Sequence, residues 1–395
     1  MKWRLHLASV IIAITLASGQ SAAQDMLDAN IIYLARDEQP HQPLSLLEAV
    51  VEDNGLPGAR LALKDTQTTG SFLGQTYSLQ HVVIGEGDDL IATYRELLSA
   101  GNRLFIVDLN ATDILDLAAV DKDVLLLNIR ASDNSLRNQS CQPMLFHFPP
   151  SRAMLADALA QYLAWKRWNR LVLVTGRHPE DTAFAESFKR AAKRFGLKFV
   201  EEKPWTAIPG ARRTDSGHHN LQQEIPAFTQ FDEHDVLLVA DEADEFGEYL
   251  SYRSKQPRLV AGSHGLIPTA WHRSQEQWGA TQLQRRFSRM AGRWMTARDY
   301  SAWLALRTLG EAFVNTASKS PARIREYLLS GKFKLAGFKG VPLTFRDWNG
   351  QLRQPILVTG PRMLVTVSPQ KGFLHQRSQL DTLGFDKPES SCKNF

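Results

Sequence analysis

The sequence predicts an α/β protein of two lobes, each built on a mainly parallel sheet. From residue 30 onward, short apolar runs alternate with stretches of helical period, and strands alternating with such helices make βαβ units. The alternation breaks in the irregular segment Arg130–Pro143 and then restarts, giving two units of one kind without a short sequence repeat. The last third differs, with longer helical patterns followed by short paired strands.

Taken in order, Asn30–Ala35 reads as the first buried strand and Leu44–Asn54 as the first helix, stopped by Asn54-Gly55. A strand is expected at Leu79–Ile84, then a helix from Asp88-Asp89 to Ala100-Gly101. The strand Leu104–Val107, a helix over Thr112–Val120 and the strand Val124–Leu127 complete the first unit. In the second, Ser151 is placed to cap a helix running to Trp168, because a hydroxyl there accepts from first-turn amides that lack a helical partner. Strands at Leu171–Val174, Leu197–Glu201, Val236–Ala240 and Leu259–Ala261 alternate with helices at Asp181–Phe195, Asn220–Phe231 and Ala243–Ser254. Helices follow at Trp278–Met290, Ala297–Val314 and Pro321–Leu329, proline being tolerated where its missing amide would be unpaired. Leu343–Phe345 and Ile356–Val358 flank Asp347-Trp348-Asn349-Gly350, whose Asn-Gly pair signals a hairpin. Arg362–Val367 is a further strand, before a polar tail.

Ahead of all this, Lys2 and Arg4 precede the apolar run Leu7–Leu16 and the small residues Ser21-Ala22-Ala23. That order reads as an export leader, residues 1–23, cleaved after Ala23; its core is too short to span a bilayer. No later run is long and apolar enough to span, so a soluble mature chain is expected. The formal charge of +4 includes Lys2 and Arg4, a balance too mild to argue for nucleic acid. The chain's 2 cysteines, Cys141 and Cys392, read as one disulfide in an oxidising compartment.

Motifs for catalysis are missing: no Gly-rich loop ending in Gly-Lys-Ser/Thr, no Gly-x-Ser-x-Gly and no His-Glu-x-x-His. The chain is read as a non-enzyme, with no required cofactor and no metal; His218-His219 and Glu224 are taken as solvated. Open α/β sheets take ligands at the carboxyl ends of their strands. Arg36, Asn110 and Arg130 follow strands of the first unit, Asp241 follows one of the second, and Arg152 opens the second unit's first helix. A long insertion, Trp205–His219, carries Trp205, Arg212 and Arg213, and Trp271 lies farther on. Arginines beside tryptophan suit an anionic, planar ligand through forked hydrogen bonds and stacking, while a surface loop whose charges meet only water is the competing reading.

The stretch Phe287–Arg293 through Tyr300, Trp303 and Leu306, with the ending Gly340–Val358, resembles type I periplasmic solute-binding proteins, the branched-chain amino acid binding superfamily of ABC transporters. Pro149–Leu163, Gly210–His218, Ala240–Tyr249 and Phe345–Pro355 are similar to a narrower group, the binding components associated with PQQ-dependent alcohol dehydrogenase systems. The resemblance implies two Rossmann-like lobes joined by three crossovers and closing on ligand. Lobe one would take 25–147 and 263–333, lobe two 148–262 and 334–370, with 371–395 as a C-terminal tail. Hinges would lie near Phe146–Pro150, Ala261–Gly265 and Gly331–Leu335. It also implies a periplasmic location, a small-molecule ligand (PQQ the first candidate) and an inner-membrane ABC permease as partner. An accessory or cofactor-handling role beside a quinoprotein dehydrogenase, or binding of an amino acid or another small molecule, is the alternative. Leu126–Ala131 and Ala35–Glu38 depart from the small hydroxyl-bearing segments that hold an amino acid in that superfamily, which argues against a branched-chain ligand.

Overall fold

The computed structural model describes residues 27–37, 50–206, 224–393 and 395; the expected leader, Arg212 and Arg213 lie outside the described residues. Lobe one carries a parallel sheet of Asp28–Arg36 (β1), Thr76–Ile84 (β2), Leu104–Asp108 (β3), Leu125–Asn128 (β4) and Leu145–His147 (β5), in the order β2-β1-β3-β4-β5. Lobe two carries a second parallel sheet of Arg170–Thr175 (β6), Lys198–Pro204 (β7), Val236–Ala240 (β8) and Leu259–Gly262 (β9), in the order β7-β6-β8-β9. Strands β3, β4 and β8 are buried along their whole length, because helices cover both faces of each sheet and leave no side for solvent. Each lobe accordingly has a core on either face of its sheet.

Helices begin where side chains can satisfy their first amides. Asp89 caps Leu90–Ser99 and Ser151 caps Arg152–Lys166 as expected, and Asn110 caps Ala111–Val120. Of the first helix expected at Leu44–Asn54, residues 44–49 lie outside the described residues. Residues 50–54 are not helical, and α1 is Leu56–Phe72. Gly55 starts that helix instead of stopping an earlier one: it takes φ 99°, and Pro57 follows in the first turn, where no amide is needed. Further helices among the described residues are α2 (Leu90–Ser99), α3 (Ala111–Val120), α4 (Arg152–Lys166), α5 (Pro179–Phe195), α6 (Gly247–Arg253), α7 (Ala280–Ala291), α8 (Ala297–Thr316) and α9 (Pro321–Leu329), and residues 224–228 are also helical. Gly58 lets α1 lie directly on α8, since a Cβ there would sit 1.8 Å from the Asp299 carbonyl oxygen.

The chain crosses between lobes at 148–151, near 270 and at 353–356. Gly265, with φ 72°, makes a turn inside lobe two, where Leu266 joins the core and Ile267–Thr269 (β10) pairs with Ile356–Gly360 (β14). Phe333 and Leu335 belong to the lobe-one core, as do Leu343, Phe345 and Leu352 of the small sheet Leu335–Ala336 (β11), Pro342–Phe345 (β12) and Leu352–Arg353 (β13). Residues up to Arg353 therefore sit with lobe one. The Asn349-Gly350 turn joins β12 to β13, not to Ile356–Val358, because Gln354 and Pro355 are spent crossing over; β14 pairs with β10 and with Met363–Ser368 (β15) on lobe two.

The polar tail is docked at several points. Leu383 is buried against Met154, Ala158 and Ile356, and a disulfide joins Cys392 to Cys141 with Cα atoms 5.6 Å apart. Among the described residues no helix is long and apolar enough to cross a membrane.

Candidate functional site

In both sheets the strand order reverses at one point, between β1 and β3 in lobe one and between β6 and β8 in lobe two. A crevice opens beyond the carboxyl ends of strands at such a point. In lobe one this place holds Tyr33 and Asp108, the latter being the last residue of β3. The Tyr33 hydroxyl donates to Asp108 Oδ2 at 2.8 Å, and Arg298, at the start of α8, lies 3.5 Å from Asp108 Oδ1. Asp108 Oδ1 is buried and accepts no hydrogen bond. Burial raises the Asp108 carboxyl above its ordinary value, against the pull of Arg298; burial and Asp108 together push the Tyr33 hydroxyl well up. Gly55 closes over the pair, and its amide donates to Asp299 Oδ1 at 2.8 Å.

Arg130 follows β4 at the same edge. Its amide donates to the Asn128 side chain at 3.0 Å, and burial together with the charge of Arg298 brings its guanidinium down to about 10. Arg298 thus stands beside a buried carboxylate at the lobe-one strand ends, and Arg130 is near enough to feel its charge.

Across from them, lobe two presents the loops after β6 and β8. Asp181, fully buried, accepts from the amides of His178 (3.0 Å), Glu242 (2.6 Å) and Ala243 (3.3 Å), which binds the two loops together. Arg152 forks onto Glu242 at 2.7 and 3.0 Å and reaches Asp133 of lobe one at 3.1 Å. Burial works against the Arg152 charge, but these two carboxylates hold its guanidinium above the ordinary value. Arg177 and His178 both pair with Glu245, and His264 pairs with Asp244 at 2.7 Å.

A family model described as periplasmic binding protein matches residues 47–210. An ABC transporter substrate-binding protein from Sphaerobacter thermophilus superposes with a TM-score of 0.67 at 15% identity, over 86% of this chain and 97% of that one. A leucine-, isoleucine-, valine-, threonine- and alanine-binding protein from Brucella ovis, in a closed conformation, gives 0.64 at 14% identity over 84% and 89%. A solute-binding protein of R. palustris in complex with benzoate gives 0.65 at 13% identity over 93% and 99%. The fold is that of the type I periplasmic binding proteins. No curated protein matches the sequence.

Within that binding-protein fold, the residues singled out from sequence fall into distinct places. Arg130 and Arg152 stand at the strand ends or the junction between lobes. Arg36 and Asn110 reach the lobe-one edge but hold one another's neighbourhood together: Arg36 pairs with Asp113 at 2.9 Å and Asn110 caps α3 through the same aspartate's amide. Asp241 is a buried cap whose two oxygens accept from the amides of Glu245, Phe246 and Gly247. The tryptophans expected to stack on a ligand are core residues. Trp205 is 3% exposed and lies flat on Phe246 at 4.5 Å; Trp271 is 2% exposed and stacks on Tyr300 at 4.3 Å. An indole beside a strand end packs inward when an aromatic of the adjoining helix or loop offers it a face, as Phe246 and Tyr300 do here.

Three residues escaped the sequence reading: Tyr33, Asp108 and Arg298. A charged residue ending an otherwise apolar strand was the available signal for Asp108.

Proposed function

We propose that the chain is the ligand-binding component of a periplasmic ABC import system, capturing a small carboxylate-bearing molecule between its lobes for delivery to a membrane permease. The observation that carries this reading is Arg298 beside buried Asp108, with Arg130 close enough to feel the Arg298 charge, at the switch point of a fold whose compared relatives are transporter binding proteins. Guanidinium groups recognise carboxylates by forked hydrogen bonds, each charge-assisted bond contributing about 1.5–3 kcal/mol. The comparison protein from R. palustris holds benzoate, an aromatic carboxylate, which supports that ligand class. PQQ, with three carboxylates on a flat core, is the first ligand to try within it, on the strength of the sequence resemblance.

Titration calorimetry with PQQ, benzoate and leucine tests the reading. One of the two carboxylates that lack an α-amine is expected to bind, and Arg130→Ala or Arg298→Ala to weaken it at least about tenfold, or ~1.4 kcal/mol. Binding that survives both substitutions unchanged refutes this assignment of the site.

A further inference from the structure

We infer that the C-terminal segment is a splint across the hinge, held closed by the Cys141–Cys392 bond, and that it limits how far the lobes swing apart. The inference rests on the two-lobed fold and on no particular ligand.

One end of the segment grips lobe two. The Gln370 amide donates to Gln161 of α4 at 3.0 Å, and Phe373 meets Phe195 of α5 edge-on. The Gly384 amide donates to Asp157 Oδ2 at 2.7 Å, while its carbonyl accepts from Arg190 at 3.0 Å and Arg194 at 2.7 Å. Glu389 adds a pair with Arg190 at 2.9 Å.

The same segment holds the other lobe. Asp381, fully buried, sits between Arg346 at 3.0 Å and Arg353 at 2.8 Å, the second of these standing at the third crossover. Arg346, itself 1% exposed, also donates to the carbonyls of Leu380 and Leu383. Past Glu389 the chain runs to the disulfide with Cys141 of lobe one, and Phe395 meets Phe146 of β5 edge-on at 5.7 Å.

Three single-strand crossovers alone leave a hinge free to bend. Here a fourth connection, covalent at its far end, lies over the first and third of them. Between Glu389, fixed on lobe two, and Cys392, fixed on lobe one, a fully extended chain reaches only about 10 Å. Opening beyond that slack requires Glu389 and then the buried Asp381 pairs to break. By trimming wide-open states the splint keeps more molecules near the closing geometry, and affinity follows the competent fraction.

The test uses the oxidised protein, the Cys141→Ser/Cys392→Ser variant and Asp381→Asn with its disulfide intact, all without ligand. Hydrogen exchange is read in peptides spanning 145–155 and 346–358, alongside the radius of gyration from small-angle scattering. The double variant is expected to exchange about tenfold faster in those hinge peptides, with β3 and β8 peptides unchanged and a larger radius. Reducing the folded wild-type protein with a thiol should give the same pattern, which guards against a variant that misfolds. Asp381→Asn should speed the same peptides. Hinge exchange and radius that stay unchanged overturn the inference, and so does an equal rise in every peptide, which marks a plain stability staple. Because no ligand enters the experiment, its outcome is separate from that of the binding reading.

Discussion

Lowering the pH should loosen this protein through one buried histidine. His147 ends β5 at the first crossover and is 1% exposed. Its protonation state is dictated by Asn128: that side-chain oxygen accepts from the amides of Arg130 and Ala131, so the amide nitrogen must face outward, donating to the Ala131 carbonyl and to His147 Nδ1 at 3.1 Å. Nδ1 is therefore an acceptor, and the ring proton sits on Nε2, toward the Leu136 backbone. Adding a proton at Nδ1 would set two donors against each other, in a site already short of water and close to buried Arg137. Burial first, and Arg137 second, put the imidazole well below its ordinary value. A group depressed in the folded state keeps its full contribution above the unfolded value of about 6.5 and loses it as pH falls, because the unfolded chain takes up a proton that the folded chain refuses. Between pH 7.5 and 5.5 this one residue costs about 1.4 kcal/mol of stability. Urea unfolding at the two pH values, for the wild type and His147→Asn, isolates it: the wild type should lose about 1.4 kcal/mol more than the variant. Parallel losses would show that His147 already carries a proton in the folded protein.

Two further outcomes follow from local geometry. Gly55→Ala puts a Cβ 2.3 Å from the Tyr33 hydroxyl at a φ of 99°, so thermal unfolding should reveal a loss of more than about 1 kcal/mol; an unchanged midpoint would mean that the lid over Asp108 is looser than drawn. Asp241→Ala strips three amides of their acceptor and should destabilise lobe two by roughly 2 kcal/mol in urea unfolding, whereas lost ligand affinity with stability intact would make Asp241 a ligand contact and not a cap.

What the sequence discloses here is local. Ser151, Val236–Ala240 and Pro321–Leu329 carry their signal within a few residues and appear where they are expected. Helix α1 does not, since its Thr66, Thr68, Thr69 and Gly70 read as poor helix formers and its stability comes from lying on α8, far along the chain. The same limit governs the site. The sequence places its candidate residues at strand ends, and Arg130 follows β4 as expected. Whether an indole such as Trp205 faces a cleft or a neighbouring phenylalanine depends on a partner that periodicity does not name, and the job of Asp241 depends on three amides in the loop that follows it.

Neither lobe is one continuous stretch of chain, and this constrains the order in which the protein can be assembled. The five strands of lobe one are all made by His147, yet the face carrying Ile31, Tyr33 and Ile106, which α1 covers in part, is not completed until α8 has followed the whole of lobe two. Lobe two in turn waits for β14 and β15 to complete the layer over α4. A nascent chain of this kind holds apolar surface open for most of its synthesis, and contacts so distant in sequence make for slow folding exposed to aggregation. Fragments cut at the visible waist would inherit that state permanently, so neither half is expected to survive as an independent domain.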